Sequence, residues 1–216
     1  TGLSFENDTI SGIPLKNNMY HLDVRFYHTH DQNQIEIKKI QLFVNADPKD
    51  LWRNIPSDTN AAFYKSEEDS YKGSFSDKKI VVVSKRGRSH AHEGKFREDD
   101  FAVNTLPNGW NIISVSDGAG SASAAREGSR LATTTINHFF NSQEILNQIE
   151  NNINVLYINQ FPDKEQLKAK QDTINILSES VLHVYHTLEK KAAENALSVN
   201  DLHTTLIFTL LKKFSF

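Results

Sequence analysis

Ser114-Val115-Ser116-Asp117-Gly118-Ala119-Gly120-Ser121 decides how this chain folds. Residues 110–115 ahead of the turn are apolar and β-prone, and read as a buried strand. Asp117 sits at the strand exit, where Gly118 and Gly120 allow backbone geometry that a side chain would forbid. From Ser121 the period changes. Ala124, Ala125, Gly128, Leu131, Ala132 and Ile136 fall near one helical face, the small residues first. The unit is therefore strand, acidic turn, helix. Two readings of Asp117 stay open at this point. It is an ordinary turn residue, or it is a carboxylate fixed beside bare main chain, with the Gly118 carbonyl as a second oxygen for a hard cation.

A second acidic stretch lies upstream, Arg97-Glu98-Asp99-Asp100-Phe101. Adjacent like charges repel, so such a run is either solvated or neutralised by something positive. It follows a strand pattern at 80–84 and a polar, glycine-containing loop at 85–96, and it precedes a short strand pattern at 101–104. A hairpin of 101–104 with 110–116, joined through Pro107-Asn108-Gly109, brings the two acidic stretches to one sheet edge. All-oxygen ligands in a chain with no cysteine suit Mg²⁺ or Mn²⁺ rather than Zn²⁺.

Composition narrows the function further. The chain has 216 residues, 38% hydrophobic and 24% charged, a globular balance with enough length for one core and a small appendage. A net charge of −3 gives no basic excess, which argues against nucleic acid and membrane-surface partners. No apolar run approaches the roughly 20 residues that span a bilayer, and no secretory apolar segment follows the N-terminus. The absence of cysteine removes disulfides and thiolate chemistry and fits a reducing, cytoplasmic setting. The chain starts at Thr1 and stops at Phe216 directly after a strand pattern, so both ends are expected to be cut.

Residues 1–70 are expected to form a small β-rich module and linker, and residues 80–216 the main domain. Residues 19–27 and 35–44 alternate as strands do, with 31–34 as their turn. Asp47-Pro48 is expected to open a short helical turn packed down by Leu51, Trp52 and Ile55. The polar stretch 57–77 reads as an exposed connection. Residues 163–197 form one long helix or two, with Ile174, Leu177, Val181, Leu182, Val184, Tyr185 and Leu188 as the apolar stripe. Residues 203–211 are apolar on both sides, which predicts a central strand. Trp52 and Trp110 are expected in cores. The order strands, helices, strand predicts an α+β fold.

Other side chains carry candidate chemistry. His90 and His92, two apart on an extended chain, point the same way and invite a metal reading; a polar histidine-bearing loop is the alternative. Arg86, Arg88 and Arg97 lie near the acidic stretches, and Arg88 is the candidate for a bidentate grip on substrate phosphate. There is no Gly-x-Ser-x-Gly elbow and no Walker loop, which argues against serine hydrolase and nucleoside triphosphatase chemistry.

Taken in order, Ser84-Lys-Arg-Gly-Arg-Ser-His90, Glu98-Asp99, Val115-Ser-Asp-Gly-Ala-Gly120 and Thr204-Thr205-Leu206 resemble the metal-dependent type 2C (PPM) serine/threonine phosphatases, bacterial members above all. The likeness covers about residues 80–216. It implies a β-sandwich of two antiparallel sheets flanked by paired helices, with two Mn²⁺ or Mg²⁺ ions in a cleft at one end. By resemblance Asp117 bridges both ions, the Gly118 carbonyl binds one of them, Asp99 is the aspartate of the first acidic motif, and Glu98 holds the position before it. Asp100 stands where the family has a small residue and ranks lower. The implied reaction is in-line hydrolysis of a phosphomonoester by metal-activated water, without a phosphoenzyme, on a phosphorylated protein. Three departures stand out. Ala119 replaces a histidine that some members carry, and Ser121 replaces the second glycine of a pair. The family's two later metal aspartates do not occur before Phe216, which implies a C-terminally truncated domain. An inactive phosphatase-like module that binds a phosphoprotein or a partner Ser/Thr kinase is the alternative. An anion site at the helix N-terminus is a third reading.

Overall fold

The computed structural model describes residues 2–7, 9–28, 30–48, 51–75, 78–158 and 161–213. The chain divides into two compact units, Thr1–Asn54 and Ile55–Phe216. Among the described residues, no helix is long and apolar enough to cross a membrane.

In the first unit, β1 (Leu3–Glu6) pairs antiparallel with β2 (Thr9–Gly12), and β3 (Asn18–His28) with β4 (Asp31–Val44). The alternation of apolar and polar residues does produce β3 and β4. The turn expected at 31–34 does not form there, because Asp31 already pairs with His28 and the stretch lies within β4. No helix forms among the described residues of 45–56, and Trp52 is 43% exposed rather than in a core. A proline at the first helical position only presets φ. One turn of helix needs packing to persist, and Leu51 and Ile55 are exposed as well.

The second unit opens with a hairpin, β5 (Glu68–Phe75) against β6 (Lys78–Lys85). Part of the stretch expected as an exposed connection is thus a strand. Its polar sequence hides this, and the alternating β6 supplies the partner. The loop at 85–96 holds a short helix, α1 (Arg88–Glu93), stopped by Gly94 at φ 70°, where a side chain would be strained. Then come β7 (Asp100–Thr105), β8 (Trp110–Ser116), α2 (Ala125–Phe139), α3 (Gln143–Ile153), α4 (Asp163–Glu194) and β9 (Ile207–Lys212). The strands run β7–β8–β9, all antiparallel. β8 is the middle strand, and β9 lies at an edge among the described residues. The apolar run of β9 suggested two covered faces. Phe208 and Leu210 pack on the core, while Ile207 is 70% exposed.

α2 lies across β7 and β8, and α4 lies against α2. Trp110 and Ile112 from β8, Ala132 and Ile136 from α2, Leu146 from α3 and Val184 from α4 meet in one core with Phe140. Ile112, Ile136, Phe140 and Leu146 are fully buried; truncating one of the aliphatic side chains to alanine costs about 2–5 kcal/mol. α4 buries only part of the stripe its large residues predict, with Val184 in the core and Leu188 packed against it. Ala169, Ile176, Ser180, Val184 and Ala192 are buried, while Ile174, Val181, Leu182 and Tyr185 are exposed. Small residues let helices approach closely, and a count of large apolar residues overlooks them. The same logic explains the small-residue start of α2. A Cβ on Gly128 would lie 2.0 Å from the Leu202 carbonyl oxygen. The fold class is the expected α+β, with helices packed on an antiparallel sheet.

Candidate active site at the acidic strand ends

Antiparallel pairing sets the site. Asp100 pairs with Ser116, so the residues just before β7 and just after β8 are neighbours. Glu98, Asp99, Asp117, Gly118 and Gly120 line one cavity of about 260 Å³ with Arg86, Ser89, His90 and Arg97. The Asp99 and Asp117 side chains stand on the same cavity wall, close enough to influence each other's ionisation. Burial first, then the neighbouring Asp117 carboxyl, push the Asp99 carboxyl up, while Lys65 and Arg97 pull it down.

Gly118 is required by space. Its φ is not positive, so conformational freedom is not the reason. A Cβ there would meet the Glu98 carbonyl oxygen at 2.8 Å and the Ala125 carbonyl oxygen at 2.9 Å. The two acidic stretches therefore approach closely because residue 118 has no side chain.

Thr204 and Thr205 hold the main chain of Asp117. The Thr205 N–H and the Thr204 hydroxyl each donate to the Asp117 carbonyl at 2.8 Å, and the Asp117 N–H donates to Thr205 Oγ1 at 3.1 Å. Ala119 N–H donates to the His203 carbonyl at 2.9 Å. This isolated bridge places Gly118 opposite Thr204 and uses the groups of the flanking residues. The Gly118 carbonyl is left without a bond in that pairing.

The other candidates fall differently. Glu98 lines the same cavity, but its carboxylate lies 3.8 Å from His90 Nε2. His90 Nδ1 is 2.8 Å from the Phe96 carbonyl; a carbonyl only accepts, so Nδ1 carries the proton. His92 is exposed on α1. Two residues on a helix differ by about 200° around its axis, so the pair does not converge as it would on an extended chain. Asp100 does not line this cavity: its carboxylate is 2.9 Å from Lys65 Nζ and only 10% exposed. Arg88 is exposed on α1 and does not line the cavity. Arg86 does line it, but is already engaged by Glu67 at 3.0 Å and the Lys95 carbonyl at 3.0 Å.

Lys65 and Ser129 were missed by the sequence reading. Lys65 is buried, and its pKa is lowered first by that burial, against the opposing pull of Asp100. It lies 34 positions from Asp99, and a lysine in a polar stretch carries no local signal. Ser129 Oγ donates to the Glu98 carbonyl. Its helical spacing from Ala125 and Ala132 marks only a buried face.

Among the described residues, no group of three or more His, Cys, Asp or Glu side chains is placed to hold a metal ion. The Asp99 and Asp117 carboxylates come together on the cavity wall, and Gly118 lines it beside them. Their chemistry suits a hard divalent cation, which would offset the mutual repulsion of the Asp99 and Asp117 carboxylates.

The family model of protein phosphatase 2C matches residues 86–216, more than half of the chain. The chain belongs to that family. It matches no curated protein and no solved structure.

Proposed function

We propose that this protein is a metal-dependent serine/threonine protein phosphatase that hydrolyses phosphomonoesters on phosphorylated proteins. The observation that carries the reading is the meeting of Asp99 and Asp117, from two separate strand ends, in one open polar cavity. Asp99, Asp117 and the Gly118 carbonyl would hold Mn²⁺ or Mg²⁺, with Glu98 at the cavity wall. Such a cation supplies an acidified water and charge neutralisation at phosphorus. The chain's own part is placement. Thr204 and Thr205 hold Asp117, Ser129 holds the Glu98 carbonyl, and Gly118 keeps the two acidic stretches close. A cytoplasmic phosphoprotein is the expected substrate, with a Ser/Thr kinase as a functional counterpart.

The test is Mn²⁺-dependent phosphate release from a phosphothreonine peptide by the whole protein. Asp117→Asn is expected to lower turnover by about 100-fold or more. Turnover unchanged in that variant would overturn the assignment. The sparse donor set supports a second reading, a phosphatase-like module that binds a phosphoprotein or a kinase without hydrolysing it. Absence of Mn²⁺ binding in calorimetry, with retained binding of the phosphopeptide, favours the second reading.

A further inference from the structure

We infer that Lys65 is a positioning residue that anchors the Asp99 main chain from a segment lying ahead of the family match. This rests on the metal-site reading above for its consequence, although the anchoring itself is independent of any metal. Lys65 Nζ lies 2.9 Å from Asp100 Oδ2, 3.0 Å from Ser129 Oγ and 3.2 Å from the Asp99 carbonyl oxygen. An ammonium has three N–H donors, and here each has a partner. The side chain is 6% exposed, so water does not compete for them. One lysine therefore ties the segment before β5 to the start of β7 and to α2.

The bonds converge on the peptides that carry the acidic pair. The Asp99 carbonyl also accepts from Arg97 Nη1 at 2.8 Å. Ser129, which accepts from Lys65, donates to the Glu98 carbonyl. The Glu98 and Asp99 carbonyls are thus both held by hydrogen bonds, while Asp99 and Asp117 stand together on the cavity wall. The segment that brings Lys65 is itself pinned. Arg126 donates to the Phe63 carbonyl at 2.8 Å and to the Ala62 carbonyl at 2.6 Å, and Arg97 Nε donates to the Ser66 carbonyl at 3.2 Å. A lysine that served only solubility would not be buried with three partners. A lysine that served only to neutralise Asp100 would not also bond the Asp99 main chain.

The experiment compares Lys65→Met, Lys65→Arg and Leu146→Ala in the whole protein. Leu146 is fully buried in α3, away from the cavity, and serves as the control for lost stability. Calorimetry reads Mn²⁺ affinity of metal-free protein, and amide hydrogen exchange reads residues 99–101. Lys65→Met is expected to weaken Mn²⁺ binding about tenfold or more and to speed exchange at 99–101 about tenfold. Lys65→Arg restores most of both, and Leu146→Ala lowers Tm without either change. The proposal is overturned if Lys65→Met matches Leu146→Ala in both measurements. If Lys65→Met does not fold, Asp100→Asn, which keeps the shape and removes the lysine's charge partner, carries the same comparison. If the wild type binds no Mn²⁺, the metal reading falls, and exchange alone decides: acceleration confined to 99–101 supports the anchor, and its absence overturns it.

Discussion

Gly118→Ala isolates the close approach on which the acidic pair depends. An added Cβ would stand 2.8 Å from the Glu98 carbonyl oxygen, 2.9 Å from the Ala125 carbonyl oxygen and 3.0 Å from the Ala125 carbonyl carbon. All three are main-chain atoms, so no side chain can swing away to make room. Ser129 holds the Glu98 side and α2 begins at Ala125, which leaves the turn itself to move. Overpacking of this kind costs about 1–3 kcal/mol, or roughly 2–12 °C in Tm for a chain of this size. The displacement also separates Asp99 from Asp117, so the proposed phosphatase activity should fall further than stability does. The matched control is Gly87→Ala. Gly87 has φ −65° and nothing within 4 Å of an added Cβ, so alanine there should leave Tm unchanged or raise it by relieving unfolded-state entropy. Circular-dichroism melts of the two variants beside the wild type give the answer. Equal melting of Gly118→Ala and Gly87→Ala would falsify the close-approach argument.

Two further outcomes follow from burial and charge. The Asp99 carboxyl is raised above its ordinary value, so the folded state holds that proton more tightly than the unfolded chain does. Stability is therefore lost as pH rises from the ordinary carboxylate range through the raised value. Asp99→Asn removes that loss: in metal-free protein it should melt higher than wild type at neutral pH, with the gain shrinking in acid. A Tm difference independent of pH would contradict the coupling. On α4, Val181→Lys should change urea stability by no more than about 0.5 kcal/mol, since the residue is 50% exposed, whereas Val184→Lys, at 6%, should cost several-fold more. Equal losses would mean that Val181 is as deeply buried as Val184.

The strand–turn–helix at 110–139 was legible because its signals are local. A β-prone run ending at Asp117, a change of period and a start in small residues all sit within a few turns of chain, and β8 and α2 formed where those signals lay. The hairpin of β7 and β8 followed from turn chemistry between two short runs. Neighbouring positions of Asp99 and Asp117 could therefore be read from pairing alone. The role of Thr204 and Thr205 could not, beyond their place in a motif, because their bonds to Asp117 span 87 and 88 positions.

Sequence alone determined the fold class and the residues at the acidic strand ends, because hydrophobic period and turn residues act over a few neighbours, and the order of its motifs marked the family. Tertiary structure alone decided which face of α4 is buried, that β9 has one open face, that Arg86 rather than Arg88 lines the cavity, and that Lys65 sits beneath Asp99. Those outcomes depend on the space and charge that distant segments present to one another. The same serine, lysine or alanine is solvated or buried according to that setting, and no local pattern records it.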